Sequence, residues 1–488
     1  MRSAHATLAP IRFGTDGWRA QIAHEFTFEN VERVAQAYAD YLKQQRADAD
    51  DEASRKPPPA VVVGYDRRFL SERFALRAAE VLAWNGVGVS LFETDVPTPL
   101  VSWAVRERGA AGGVIITASH NPATFNGFKL KAPWGGSATP ETTRSVEALL
   151  DRSPARRSPL PAEAHGGLEA QSESYRRQIE SYIDLGLLRG ARGRVVVDSM
   201  HGTGGRWVES FLGGGGLEVE TIRAERDPLF GGCDPEPIDR NLAPLKARVT
   251  AAGALAGLAT DGDADRVGAV NELGETMTMH EVVPVILLHL ARRRAMTGGV
   301  VRTFSQSVLL KRIAAAHGLA LHETAIGFKY VADLMLREPI LLGAEESGGI
   351  GVSGHLPERD GILNSLLFLE AVVASERTPS ELVRELHREF GEFYFGRRDL
   401  HLDVARGLAL VNTLAARPPA AVEGHAVHSV ETLDGVKLLF ADESWLLFRQ
   451  SGTEPLLRIY AEATSVAKRE AFLDYGVQLA EGGLRPAD

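Results

Sequence analysis

The chain has 488 residues, 44% hydrophobic and 24% charged, a globular composition too long for one core, so about three or four domains are expected. With 64 acidic against 54 basic residues its formal charge is −10, which argues against a general nucleic-acid binder. One cysteine, Cys233, excludes an internal disulfide and points to a reducing compartment.

From the N-terminus, residues 1–30 contain no apolar core of a secretory signal. "FGTDGWRA" (13–20) then forms a glycine-rich turn with Arg19 just behind it. The charged, Pro-rich stretch 44–60 is predicted as a solvated loop, and "VVVGYDRRFLSERFALRAAEVL" after it as a strand, a polar turn and a helix. Next comes "GGVIITASHNPATFNGFK" (112–129), in which Val114, Ile115 and Ile116 predict a buried strand ahead of Ser119 and His120. The Pro- and Arg-rich segment 151–170 reads as a domain boundary, with an amphipathic helix starting at about 173.

"VVVDSMHGTGGRWVESFL" and "VVRTFSQSVLLKRIAAAHGL" echo the first strand–turn–helix unit, and all three are followed by a second apolar stretch. Three such units predict three related α/β domains. Between them, "LATDGDADRVGAV" (258–270) sets Asp261, Asp263 and Asp265 at alternate positions. So much charge between apolar flanks calls for a cation, and oxygen donors suit Mg²⁺. Arg266 stands where an EF-hand loop needs glycine, and "RVGAV" continues as a strand rather than a helix, which argues against that motif. The apolar run 282–291 is broken by Pro284 and His289 and is far short of the roughly 20 residues of a bilayer span. A cytoplasmic setting is expected, with no membrane or nucleic-acid partner.

Further on, "AIGFKY" (325–330) places Lys329 in a glycine turn, and "LLGAEESGGIG" (341–351) places Glu345, Glu346 and Ser347 at a strand end. The last hundred or so residues predict an α+β domain, with strands in "FGRRDLHLDVA" and "WLLFRQSGTEPLLRIYAEA" and helices near 405–417 and 465–481. In "RQSGTEPLLRIY" (449–460), Arg449 and Arg458 flank a Ser-Gly-Thr turn whose N–H groups suit a phosphate. Loops at the carboxyl ends of strands are where α/β domains gather ligands, so a cleft between domains is expected.

"FGTDGWR", "TASHNP" with "NGFK", "DGDADR", "GFKY", "GAEESGG" and "RQSGTEP" occur in this order over residues 13–458. Together they resemble the α-D-phosphohexomutase superfamily, the phosphoglucomutases and phosphomannomutases. The resemblance implies an α/β fold of three similar mixed-sheet α/β domains plus a C-terminal α+β domain around a central cleft. The expected limits are 1–165, 166–278, 279–392 and 393–488. It implies a phosphoserine at Ser119 and Mg²⁺ on Asp261, Asp263 and Asp265 with Ser119 completing the contact. It further implies phosphate support from Arg266 and Arg19, and proton transfer by His120 or Lys129. Lys329, Glu345 and Ser347 would bind the sugar, and Arg449, Ser451, Gly452, Thr453 and Arg458 the substrate's own phosphate.

The implied partners are a hexose phosphate and a hexose bisphosphate, and the implied assembly is a monomer or homodimer. Glu346 and Gly349 resemble the loop of glucose-preferring members; mannose-using members tend to carry Met at the second acidic position, and glucosamine-type members end the loop in His. Ala344 departs from the usual glycine, and "FGTDG" is shared with glucosamine-type enzymes. A serine hydrolase would leave the aspartates and the phosphate turn without a use, and Ser119 has no Gly-x-Ser-x-Gly elbow. An aspartate-nucleophile phosphatase would have no use for the Ser119 loop, and a sugar-phosphate sensor would not need every reactive group retained.

Overall fold

The structure, a computed structural model, describes residues 11–14, 16–47, 58–451 and 455–482. Four domains, each built on its own sheet, make up the chain, which also divides into two compact units whose limits do not follow those of the domains. The first unit runs to Thr276 and includes Gly349–Ala374; the second holds Met277–Gly348 and the chain from Ser375 onward.

In the first unit, β1 (Trp18–Gln21), β2 (Ala60–Tyr65), β3 (Gly88–Leu91), β4 (Gly112–Ile116) and β5 (Phe125–Lys131) form a sheet in the order β1-β5-β4-β2-β3. β2 lies parallel to β3 and β4, whereas β5 runs antiparallel to β4 and β1. Val61, Val62 and Val63 are each at most 1% exposed, as a strand covered on both faces requires. A helix over Phe28–Ala47 buries Val31, Val34, Ala35, Tyr38 and Leu42, the three-and-four spacing of one helical face. It runs into the stretch predicted as loop from 44; of that stretch, 48–57 lie outside the described residues.

The second sheet repeats the plan with β6 (Gly193–Asp198), β7 (Leu217–Ile222) and β8 (Ala256–Thr260), all parallel, and β9 (Val267–Val270) antiparallel to β8. The β8–β9 reversal creates the loop that carries the three aspartates. Segment 151–170 is less free than its composition suggests: His165 bridges to Leu91, and the helix begins at Glu169.

In the second unit, parallel strands Gly299–Thr303, Leu321–Thr324 and Ile340–Ala344 supply the third echo. Residues 279–288 form a helix despite Pro284, started by a Thr278–Glu281 capping box. The C-terminal domain is an antiparallel sheet of six strands with helices Val404–Ala416 and Val466–Gly482. His425–Glu431 and Val436–Phe440 are strands that the sequence pattern did not announce.

His280 offers a direct check on the second unit. Its Nε2 lies 2.9 Å from the Ser305 carbonyl, and its ring stacks on Phe395 at 3.7 Å. Burial pushes its pKa from 6.5 down to about 3. The unfolded chain therefore binds the proton first, and stability is lost as pH falls below 6.5. At pH 5 the loss from this one group should be about 2 kcal/mol. Apparent melting temperatures of the wild type and His280→Gln should diverge less at pH 5 than at pH 7; parallel curves would contradict the buried neutral imidazole.

Candidate active site

Strand β4 ends at Ile116, and the chain turns sharply at Ser119, whose φ is +54°. A serine in the left-handed region costs on the order of 1–3 kcal/mol unless its surroundings fix it. They do: the Ser119 N–H donates to Thr117 Oγ1 at 2.9 Å, and its hydroxyl donates to Asp261 Oδ2 at 2.8 Å. His120 Nδ1 sits 3.4 Å from the same hydroxyl.

Asp261, Asp263 and Asp265 are completely buried, and one oxygen from each falls within 4.8 Å of the others. Asp261 Oδ1 accepts the N–H groups of Asp265 and Arg266 at 3.0 and 3.1 Å. Asp263 Oδ2 accepts Thr98 Oγ1 at 2.7 Å and Lys129 Nζ at 2.9 Å. Asp265 Oδ2 takes Arg359 at 2.7 Å. Gly262 is forced by packing, because a Cβ there would run into the Ser119 carbonyl oxygen. Burial, then the neighbouring Asp263 and Asp265, pushes the Asp261 carboxyl well above its ordinary range. For Asp263, burial is outweighed by Lys129 and its hydrogen bonds, and its pKa is lowered.

The Oδ1 atoms of Asp263 and Asp265 are buried without a hydrogen-bond partner among the described residues. Orphaned buried carboxylate oxygens are costly, and two of them beside a third acid make a hard-oxygen donor set for a divalent cation. The residues fit a metal.

Cations surround this acidic pocket. Lys129, reaching in from β5, lies 2.9 Å from both Asp16 and Asp263 and 3.5 Å from Asp265. Burial alone would lower its pKa, but these three carboxylates outweigh it and hold the ammonium. Gly17, at φ +92°, lets the β1 turn approach so closely that a Cβ would sit 2.8 Å from Lys129 Cγ. Arg359 spans Asp16 and Asp265, each at 2.7 Å. Arg19 donates to Asn121 Oδ1 at 2.7 Å. The Nε of Arg266 has no hydrogen-bond partner among the described residues, and its nearest acid, Asp265, is 3.9 Å away. Burial, then Arg266, Arg19, Lys129 and Arg68, drives the His120 pKa well below 6.5.

The first unit thus brings together Ser119, His120, Lys129, Arg19, Arg266 and the aspartates. Asp16, Thr98, Arg68 and Arg359 belong with them and were missed. Asp16 was open to view inside "FGTDGWRA"; Arg359 comes from "PERDG", which the sequence marks by nothing but its charges.

The remaining candidates lie in the second unit. Arg449 and Arg458 are register partners on adjacent strands, a pairing of like charges that a bound anion would relieve. Arg449 Nε is 3.0 Å from Asp434 Oδ1, and Asp434 Oδ2 accepts the Ile326 N–H at 2.9 Å, which links the arginine to the glycine turn ahead of Lys329. Lys329 occupies the first turn of a helix over Phe328–Arg337 rather than the turn itself. Glu345 is buried just after the strand Ile340–Ala344, and Glu346 accepts the Ser305 hydroxyl at 2.7 Å, while Ser347 is half-buried. Burial and then Glu346 push the Tyr460 hydroxyl up to about 12. The Ser451 N–H donates to the Leu456 carbonyl at 2.9 Å. Gly452 and Thr453 lie outside the described residues.

The sequence matches the phosphoglucomutase/phosphomannomutase family throughout: alpha/beta/alpha domain I over residues 10–157, domain II over 173–274, domain III over 279–390 and the C-terminal domain over 410–475. A phosphoglucomutase/phosphomannomutase of Thermococcus kodakarensis is 31% identical over 97% of this chain and 99% of its own. A phosphoglucosamine mutase of Moorella thermoacetica is 30% identical over 97% and 99%. A crystal structure of a candidate phosphomannomutase from Thermus thermophilus superimposes with a TM-score of 0.84 and 38% identity, covering 97% of this chain and all of that one.

Proposed function

The chain belongs to the phosphoglucomutase/phosphomannomutase family, and we propose that it interconverts hexose 1-phosphate and hexose 6-phosphate, glucose foremost, through a phosphoserine at Ser119 and a bisphosphorylated intermediate. As a phosphohexomutase it is an isomerase of sugar phosphates. The observation that carries the proposal is the Ser119 hydroxyl, aimed from a left-handed turn at a buried trio of aspartates inside a shell of cations.

Charge decides the division of labour. The phosphoryl group passes from Ser119 Oγ to a sugar hydroxyl: the P–Oγ bond breaks, a P–O bond to the sugar forms, and the hydroxyl proton must leave. His120, with a ring nitrogen 3.4 Å from Oγ, is placed to take it and to give a proton to the departing Oγ, so that Ser119 ends the step as its hydroxyl. The carboxylates around Lys129 favour its ammonium form, which offsets the charge that develops on the phosphoryl oxygens, and Lys129 stays the second candidate for proton transfer. Arg19 and Arg266 support the same oxygens. Asp261, Asp263 and Asp265 would hold Mg²⁺, which when bound supplies Lewis-acid charge at the phosphoryl group. The bisphosphate then reverses, and its other phosphoryl group returns to Ser119.

Arg449, Ser451, Gly452, Thr453 and Arg458 hold the phosphate that is not reacting, and Lys329, Glu345 and Ser347 read the sugar. The four domains are proposed to divide near 165/166, 278/279 and 392/393.

Glucose is favoured by Glu346, since mannose-using members tend to carry Met there. The glucosamine reading draws on the name of the Moorella relative and on "FGTDG". A coupled assay of glucose, mannose and glucosamine 1-phosphates separates them: kcat/KM should be greatest for glucose 1-phosphate by about tenfold or more. A glucosamine maximum would overturn the sugar assignment, and the absence of turnover on all three would favour a sensor.

A further inference from the structure

Arg68 stands outside every motif that carries the resemblance, yet its side chain is completely buried beneath the Ser119 turn. Its Nη2 donates to the carbonyls of Ser119 and Asn121 at 2.8 and 2.6 Å, and its Nη1 to those of Pro122 and Phe125 at 2.7 and 3.0 Å. The Nε lies 3.1 Å from Asp66 Oδ2. That same oxygen accepts Thr117 Oγ1 at 2.6 Å, and Thr117 Oγ1 in turn accepts the Ser119 N–H. One ion pair therefore grips Ser119 by its amide and by its carbonyl. Phe230 covers the group, its ring centre 4.9 Å from the guanidinium carbon.

Four carbonyl oxygens turned toward one point repel each other unless a cation with several directed donors sits among them. A planar guanidinium offers five N–H groups; an ammonium offers three with no fixed fork. In a trans peptide the N–H opposes the C=O, so tying the Ser119 carbonyl to Arg68 also turns the His120 N–H away from the guanidinium. Without that tether nothing in the backbone preference of serine holds it at φ +54°.

We propose that Arg68 is a positioning residue for phosphoryl transfer, holding the Ser119 turn in the conformation that aims Oγ at Asp261. The inference rests on the reading of Ser119 as phosphoryl carrier. It touches no substrate contact, so its signature is a split between turnover and binding.

Arg68→Lys should lower kcat by about 100-fold while KM for the hexose 1-phosphate stays within about threefold, as expected for a misplaced reacting group. Single-turnover phosphorylation of Ser119 by hexose bisphosphate should slow by the same factor, and hydrogen exchange should quicken in the peptide spanning 117–126. Because a lysine pairs less well with the buried Asp66, a second variant combines Asp66→Asn with Arg68→Gln, which leaves no lone buried charge. The same split is expected there.

A kcat within threefold of wild type in either folded variant overturns the inference, as does a loss that follows the folded fraction. Failure of both variants to fold assigns Arg68 to stability alone and overturns it too. Ser119→Ala, run alongside, keeps the two ideas apart: activity surviving that change sinks the phosphoserine, whereas a dead Ser119→Ala beside a fully active Arg68→Lys sinks this inference only.

Discussion

Ser119→Ala should lose mutase activity by roughly 10⁴-fold or more, the scale on which removing a covalent nucleophile acts. The oxygen removed is the one proposed to carry the phosphoryl group, and no neighbouring group offers a replacement nucleophile on the same turn. Folding should hardly notice. The hydroxyl makes one hydrogen bond to Asp261 and stands 3.4 Å from His120, and losing a bond of this kind costs about 1 kcal/mol. The Asp66–Arg68 grip on the turn uses backbone atoms that alanine retains. Intact mass should show phosphate on a fraction of wild-type molecules and none on the variant. A variant that still turns over hexose 1-phosphate at the wild-type rate would refute the mechanism, and a serine hydrolase would instead show ester hydrolysis lost with the same change.

The parts of this molecule that were legible in its sequence are those in which one local stretch carries the whole signal. Val61–Val63, Val195–Val197 and Val300–Val301 announce buried strands because a parallel sheet covered on both faces admits little else. "DGDAD" announces a cluster of carboxylates able to hold a cation because its three aspartates sit at alternate positions of one short loop. Arg68 was silent for the opposite reason. It lies in a string of polar residues after β2, and only the fold brings the carbonyls of residues 119–125 around it. Arg359 is reached across 94 residues from Asp265 and 343 from Asp16, a spacing with no pattern to read. The strand His425–Glu431 is mostly exposed, so the alternation that marks a half-buried strand is missing. Lys329 was placed in a turn because Gly327 precedes it; that glycine, at φ +139°, proves to be the last residue before the helix.

Asp263→Asn should reduce turnover by about 100-fold or more and raise the Mg²⁺ concentration needed for half-maximal activity, while the melting temperature moves by only a few degrees. The asymmetry follows from how this carboxylate is used. Its Oδ2 is committed to Thr98 and Lys129, and its Oδ1 has no hydrogen-bond partner among the described residues, so the two oxygens hold different jobs. Asparagine keeps the shape but cannot serve both. If its oxygen stays on Lys129, an NH₂ group faces the place of the missing partner and repels a cation; if it flips, two donors meet at Lys129. The charge balance softens the cost to folding. Asp16, Asp263 and Asp265 crowd around Lys129 and Arg359 with Asp261 beside them, so removing one carboxylate weakens an ion pair but also relieves repulsion within the trio. Titrating activity with Mg²⁺ and melting the same preparations tests both halves. A melting temperature that collapses in step with activity would make the trio a structural ion-pair cluster, and wild-type turnover at every Mg²⁺ concentration would remove Asp263 from the metal site.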